Sequence, residues 1–310
     1  MKKQIMHTII SGLLCASGFA QRVQIPGEVP LVHQQSTRKY VGWTAMSTGG
    51  FEEAWKSVIA PGNIEQRMNS CAVNGRLLEI VSRGRDNRHA SEVPVWQLPE
   101  SQDFFFVSGM TIDADGAPNA YNPDDTGLDA LANAGAPGHW DGIITDRSGH
   151  ALIQQESDPF PGYYISCTSL SDETKHFTDP TGYVDASKVP YVALPQDIAE
   201  HGGAKLGDFA LVMNLRNGKS SFAIYADIGT LGEGSLALAD ALGIWSDARN
   251  GGASDDILYL FFPGSGNRKP RKVSEIQRES EKLVFRWGGT KEISSCLESY
   301  APAAESVDSK

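Results

Sequence analysis

Short apolar runs, many alternating with polar residues, recur along most of this chain and are separated by Gly, Pro, Asn and Asp. That is the pattern of strands and turns rather than of a helical bundle. VNGRLLEIVSR (73–83), DFFFVSGMTID (103–113), GHWDGIITDRSGHALIQ (138–154), PGYYISCTSL (161–170), YVALP (191–195), DFALVMNL (208–215), SFAIYAD (221–227) and ILYLFFP (257–263) read as strands. Asn74-Gly75, Ser148-Gly149 and Asn217-Gly218 mark tight turns, because both residue types accept the left-handed backbone that hairpins need. Helical spacing is confined to 124–134, 234–243 and VSEIQRESEKLVFRW (273–287). In the last, Val273, Ile276, Leu283 and Trp287 form one stripe, which predicts core packing rather than a cofactor face.

One junction between patterns holds chemistry. In YADIGTLGEGSLALADALG (225–243), Asp227 ends a strand and Gly229, Gly232 and Gly234 surround a turn. Glu233 is then expected at or just before a helix N-terminus, where a carboxylate is stabilised as the anion, with Gly243 as a C-cap. Locally, two readings stand. Asp227 is a turn residue and Glu233 a helix-start acid, or the two are an acid pair facing one cleft, with glycines allowing close approach to the backbone.

The amino terminus changes the picture of the compartment. Lys2 and Lys3, an apolar stretch from Ile5 to Leu14 and the small-x-small sequence Gly18-Phe19-Ala20 predict a secretory signal peptide cut after Ala20. Cys15 follows Leu14 rather than a small residue, which argues against a lipid anchor. No later run has the length of a membrane span, so the expected location is secreted or periplasmic. Removing residues 1–20 takes the formal charge from −11 to −13, since two lysines and no acids are lost. Such an acidic chain is a poor partner for nucleic acid or an anionic membrane and suits a cationic ligand. Cys71, Cys167 and Cys296 remain, which allows one disulfide and one free thiol without fixing the pairing. With no CxxC, HExxH or close His pair, neither a metal nor a cofactor is expected. The sequence divides into the leader (1–20), an N-terminal extension (21–94), a main domain (95–300) and a tail rich in small and charged residues (301–310), read as disordered.

Other candidates are weaker on local grounds. Asp113 and Asp115 in GMTIDADGAPNAYNPDD follow a strand; they lack the third acid and closing Glu of a calcium loop. They either cap a turn or bind substrate. Trp140 and the Tyr163-Tyr164 pair can stack on sugar rings, as buried aromatics also pack cores. Gly264-Ser265-Gly266 is not a nucleophile elbow, and His139, His150 and His176 lie in or beside turns as surface residues. The basic run RKPRK (268–272) reads as a solvated loop.

Taken in order, SGMTIDADGAPNAY, PGYYISCTSL, VPYVALP, GDFALVMNLRNGKSSFAIYADIGTLGEGSLALADALG and DDILYLFFPGSG resemble glycoside hydrolase family 75, the chitosanases best known from fungi, and more closely the family's bacterial relatives. The resemblance covers about residues 95–265, with weaker support to about 298. It implies a secreted, endo-acting glycosidase that cleaves β-1,4-linked glucosamine with inversion, and it maps the catalytic pair onto Asp227 and Glu233. A substrate-binding role follows for Asp113 and Asp115, with Trp140 and Tyr164 as sugar platforms. The implied partner is a cationic polysaccharide, chitosan or glucosamine oligomers, and the expected state is a monomer. The implied fold is β-rich α+β, with a compact β-barrel-like core and a few short helices. The Asp-loop-Gly strand crossing is also similar to double-psi β-barrel hydrolases, an analogy of fold alone. On helix position, Glu233 would be the ionised base and Asp227 the acid. Two rival functions share the scaffold: a peptidoglycan-active lytic enzyme, and a non-catalytic carbohydrate-binding envelope protein.

Overall fold

The computed structural model describes residues 72–73, 76–85 and 92–287. The expected leader, most of the N-terminal extension and the expected tail lie outside the described residues, as do Cys71 and Cys296. Cys167 is disulfide-bonded, and as it is the one cysteine among the described residues its partner lies outside them.

The alternating runs become a closed sheet. Strands β1 (Ala72–Val73) and β2 (Arg76–Leu77) pair with each other, and β3 (Glu79–Gly84), β4 (Val93–Gln97) and the long β5 (Phe104–Asp113) follow; the turn expected at Asn74-Gly75 lies outside the described residues. Two short strands, β6 (Gly135–Ala136) and β7 (His139–Trp140), interrupt the irregular stretch before β8 (Tyr191–Leu194). Then come β9 (Phe209–Asn214), β10 (Ser220–Ile228), β11 (Glu233–Ser235) and β12 (Ala253–Phe262). The order β11-β8-β10-β9-β12-β5 closes on itself because β5 also pairs with β11, giving a six-stranded barrel. β4 and β3 extend the sheet from the first residues of β5. The β8–β10 and β5–β11 pairs are parallel, and the other pairs of the ring are antiparallel. Closure removes the free edges that would otherwise template aggregation.

The two faces of β5 sort by alternation. Phe104, Phe106, Met110 and Ile112 join Tyr259 and Phe261 of β12 and Val212 of β9 in the main core. There Phe104 lies over Phe261 and Phe106 over Tyr259, with ring centroids 5.0 and 4.7 Å apart. Phe105 and Val107 point the other way, into a second cluster with Trp96, Leu258 and Leu260. Residues of β5, β8, β9, β10 and β12 meet in the main cluster, which therefore includes the barrel interior. The second cluster draws its buried strand residues from β4, β5, β9 and β12 and takes Val284 of the helix α3 (Val273–Trp287) against it, so it is the outer face. Truncating Phe106 to Ala would cost about 3–5 kcal/mol on this account.

The predicted hairpin at Asn217-Gly218 joins β9 to β10, with Gly218 left-handed at φ 72°. Other expectations fail in the chain between β5 and β8. The helix expected over 124–134 is a loop ending in a single 3-10 turn, Leu131–Ala134. Side-chain acceptors replace helical bonds there: Asp125 takes the Leu131 N–H and Asp129 the Ala130 N–H. A Cβ on Gly127 would lie 2.1 Å from the Ala120 carbonyl oxygen. The expected strands 138–154 and 161–170 form only isolated bridges, Ile143–Ser166, Thr145–Ala151 and Ile153–Tyr164, apart from the two residues of β7. The helix expected over 234–243 is α2 (Leu236–Ala241), capped by the Ser235 hydroxyl, and Gly243 follows it at φ 67°. The remaining helix, α1 (Gln196–Gly202), follows β8.

Candidate active site

Asp227 stands where it does because β10 is irregular. Tyr225 pairs with Val192 and Asp227 with Ala193, so Ala226 is an extra residue in the strand. Without it, Tyr225 and Asp227 would share a face. Tyr225 faces the interior, edge-on to Phe261. The bulge therefore turns Asp227 to the outer face.

Glu233 reaches the same face from the other side. It lies in register with Ala193 of β8 and with Thr111 of β5, so Asp227, Ala193, Glu233 and Thr111 form one lateral row. Asp113 follows Thr111 on the same face. The two acids are two strand spacings apart, about 10 Å between Cα atoms, and only the methyl group of Ala193 stands between them. Glu233 is thus a strand residue two positions before the helix cap, not a helix-start acid, and the expected stabilisation by a helix N-terminus does not apply.

The turn that joins the pair answers for its glycines. A Cβ on Gly229 would sit 2.1 Å from Glu233 Oε2, so this glycine is the space the carboxyl occupies. Gly232 is left-handed at φ 80°, and its carbonyl accepts the Thr111 N–H at 2.9 Å. Glu233 Oε2 accepts from the Thr230 N–H at 2.8 Å and the Thr230 hydroxyl at 3.4 Å. Asp227 is held more firmly: its Oδ1 accepts the Ser169 N–H at 3.0 Å, the Ser169 hydroxyl at 2.6 Å and the Ile228 N–H at 2.8 Å.

Asp113 and Asp115 join this cluster. Asp113 is buried, and its Oδ1 accepts the Asp115 N–H at 2.8 Å, so it does cap the turn after β5. Asp115 is half-buried, takes the Tyr121 hydroxyl at 2.6 Å, and has the Gly142 backbone against its carboxyl. The Tyr191 hydroxyl donates to the Asp115 carbonyl at 3.1 Å and also reaches Asp113. Trp140 and Tyr164 come together, with ring centroids 6.0 Å apart and both half-buried. The Tyr164 N–H donates to the Tyr121 carbonyl, which ties this aromatic pair to the residue that holds Asp115. His139, His150 and His176 are exposed, as expected. No local pattern marks Ser169, Tyr121 or Tyr191 as partners of the acids, because their contacts span up to 76 positions.

Four carboxyls crowded in a poorly solvated corner raise one another's proton affinity. Burial pushes Asp227 up to about 7, with the charge of Asp113 adding to it and the Ser169 and Ile228 hydrogen bonds opposing it. Burial and then Asp113 push Glu233 up to about 8, opposed by the Thr230 N–H. Asp115 is raised well above the usual carboxylate range by burial, then by Asp113 and Asp227. Asp113 is raised by burial, against hydrogen bonds from Asp115 and Tyr191. Among the described residues no group of His, Cys, Asp and Glu has the arrangement to hold a metal ion.

Two carboxyls with elevated proton affinity and different hydrogen-bond donors, on one wall of a closed barrel, are equipped for acid–base work on a bond lying across the row. Comparison with known families agrees. The family model described as fungal chitosanase of glycosyl hydrolase group 75 matches residues 154–286, and the match supports a glycoside hydrolase class for the chain. The matched segment, which carries Ser169, Asp227 and Glu233, belongs to glycoside hydrolase family 75. Comparison with curated proteins finds no match. The match begins after β5, so Asp113, Asp115 and Trp140 lie before it.

Proposed function

We propose that the chain hydrolyses β-1,4-glucosaminidic bonds within chitosan with inversion at the anomeric carbon. The observation that carries this is the lateral row in which Asp227 and Glu233 flank Ala193. Inversion needs room for a water between the base and the sugar, with carboxyls about 6.5–9.5 Å apart. Backbones about 10 Å apart support such a separation, whereas a retaining pair would stand closer. Asp227 accepts three hydrogen bonds on one oxygen, which favours its ionised form, and Glu233 has fewer donors. The roles read from helix position are therefore exchanged. Asp227 takes a proton from water as its oxygen attacks the anomeric carbon, and Glu233 gives a proton to the leaving glycosidic oxygen. Proton exchange with solvent then restores both groups.

Asp227→Asn and Glu233→Gln should each lower turnover of chitosan by at least about a hundredfold, with folding retained. NMR of early products should show the inverted, α anomer at the new reducing end. Near-normal turnover in both variants, or a β anomer formed first, would sink the proposal. The rate should fall below about pH 7 as Asp227 takes up a proton and above about pH 8 as Glu233 loses one. Export belongs to the same reading, and the disulfide at Cys167 fits an oxidising compartment. An exported protein whose mass begins at Gln21 would bear it out, and one retaining Met1 would not.

A further inference from the structure

A cleft of about 300 Å³ opens beside Asp227, at the small end of ligand sites. Both of its long walls are anchored on the strand segment that carries that acid. On one, Ser169 binds Asp227 and the Leu170 N–H donates to the Ala226 carbonyl at 2.8 Å. On the other, Lys205 and Leu206 lead into Gly207, whose N–H donates to the Tyr225 carbonyl at 2.8 Å. Arg268 closes the corner with a left-handed backbone at φ 61°, packed so near Gly207 that a Cβ there would meet the Arg268 nitrogen at 2.7 Å. The Asp208 carboxylate ties the corner together, accepting the N–H groups of Lys205, Gly264 and Gly266.

Lys205 and Arg268 are thus presented by a braced loop, and neither forms an ion pair among the described residues. In a chain of formal charge −11, the cleft lining holds two cations and one acid, Glu173, while the neighbouring Asp208 and Asp227 carboxyls are taken up by backbone N–H groups and the Ser169 hydroxyl. We propose that this cleft is a sugar subsite that accepts an N-acetylated unit and turns away a free ammonium, an inference that rests on the hydrolase reading for its place in the groove. Lysine and arginine side chains only donate hydrogen bonds. A protonated glucosamine nitrogen also only donates, and it carries the same charge. An acetamido group is neutral, offers a carbonyl acceptor to Lys205 or Arg268, and has a methyl group to set against Leu170 and Leu206. The groove then has two characters: the carboxyl cluster of Asp113, Asp115 and Glu233 suits an ammonium, and the far side of Asp227 suits an acetamide.

Titration calorimetry of the full chain with di-N-acetylchitobiose and with the glucosamine disaccharide tests this in the Lys205→Gln/Arg268→Gln double variant. Both replaced side chains are exposed, so folding should be retained, and a melting curve checks it. The variant should lose roughly tenfold in affinity for the acetylated disaccharide, the worth of one or two hydrogen bonds, and should bind the glucosamine disaccharide more tightly. Unchanged affinity for the acetylated disaccharide, or none measurable in the unaltered chain, overturns the subsite. Turnover of partly acetylated chitosan is measured in parallel. A chain that binds as expected and cleaves nothing loses the hydrolase reading and keeps the subsite. A chain that cleaves with both affinities unmoved loses only the subsite.

Discussion

Ser169 contributes two of the three hydrogen bonds that Asp227 Oδ1 accepts, and it comes from a segment 58 positions away. Those donors oppose the effect of burial on Asp227 and, in the proposed mechanism, keep it available as a base near neutral pH. Ser169→Ala keeps the backbone N–H and removes the hydroxyl. Its expected result is a lower kcat and an acid limb of the pH–rate profile displaced to higher pH, because the ionised form of Asp227 has lost a donor. An acid limb unmoved by the change would show that the hydroxyl does not tune this carboxyl. Thr111 stands beside Glu233 in the row, with its buried hydroxyl unpartnered among the described residues.

At the level of elements, the site depends on two irregularities in otherwise regular strands. The bulge at Ala226 moves Asp227 from the interior to the outer face. The turn through Gly229 and Gly232 lets β11 return beside β5 with its acid in register. A Cβ on Gly232 would come 2.5 Å from Ser108 Oγ and 2.6 Å from the Gly109 carbonyl oxygen, on a left-handed backbone. Gly232→Ala should therefore destabilise the fold by more than about 1 kcal/mol and displace Glu233, lowering activity as well. Gly138, at φ 85° with nothing within 4 Å, isolates the backbone term. Urea unfolding of the two alanine variants makes the comparison. Equal losses at the two positions would mean that the close approach at Gly232 matters little.

Across the whole molecule, the buried carboxyls link stability to pH. Asp227 and Glu233 have folded-state affinities raised to about 7 and about 8 from ordinary values of 3.8 and 4.5. Between those limits the folded state holds more protons than the unfolded state, so stability falls as pH rises. The contribution is fully present below about pH 4 and is lost as pH rises through 7 to 8. Scanning calorimetry should find a lower Tm at pH 8.5 than at pH 5.5. In the Asp227→Asn/Glu233→Gln double variant that decline should shrink, since neither replacement titrates. An equal decline in both proteins would place the linkage elsewhere. Carboxylates with lowered affinity, such as Asp146 and Asp172, are solvent-facing and act only at more acidic pH.

Much of the barrel was legible because its strands repeat the period-2 pattern that a two-faced sheet requires: β5, β8, β9, β10 and β12 fall where alternating or continuous apolar runs predicted them. The hairpin at Asn217-Gly218 and the helix over 273–287 were legible for equally local reasons. The chain between β5 and β8 was not, because its apolar residues are divided between the main core and a small cluster of their own around Ile144, Ile165 and Cys167, and side-chain carboxylates take backbone bonds that regular elements would have made. Asp227 and Glu233 could be named from residue type, glycine spacing and family resemblance. Their relation to each other could not. A one-residue bulge and the pairing of β11 with both β8 and β5 are long-range events that no local window contains. The sequence by itself determined most strands of the barrel and marked the two acids as candidates, since both follow from side-chain chemistry and short-range spacing. Only the tertiary structure decided that Glu233 lies on a strand and that four carboxyls share one corner. Those properties depend on burial and on charges brought together from distant parts of the chain.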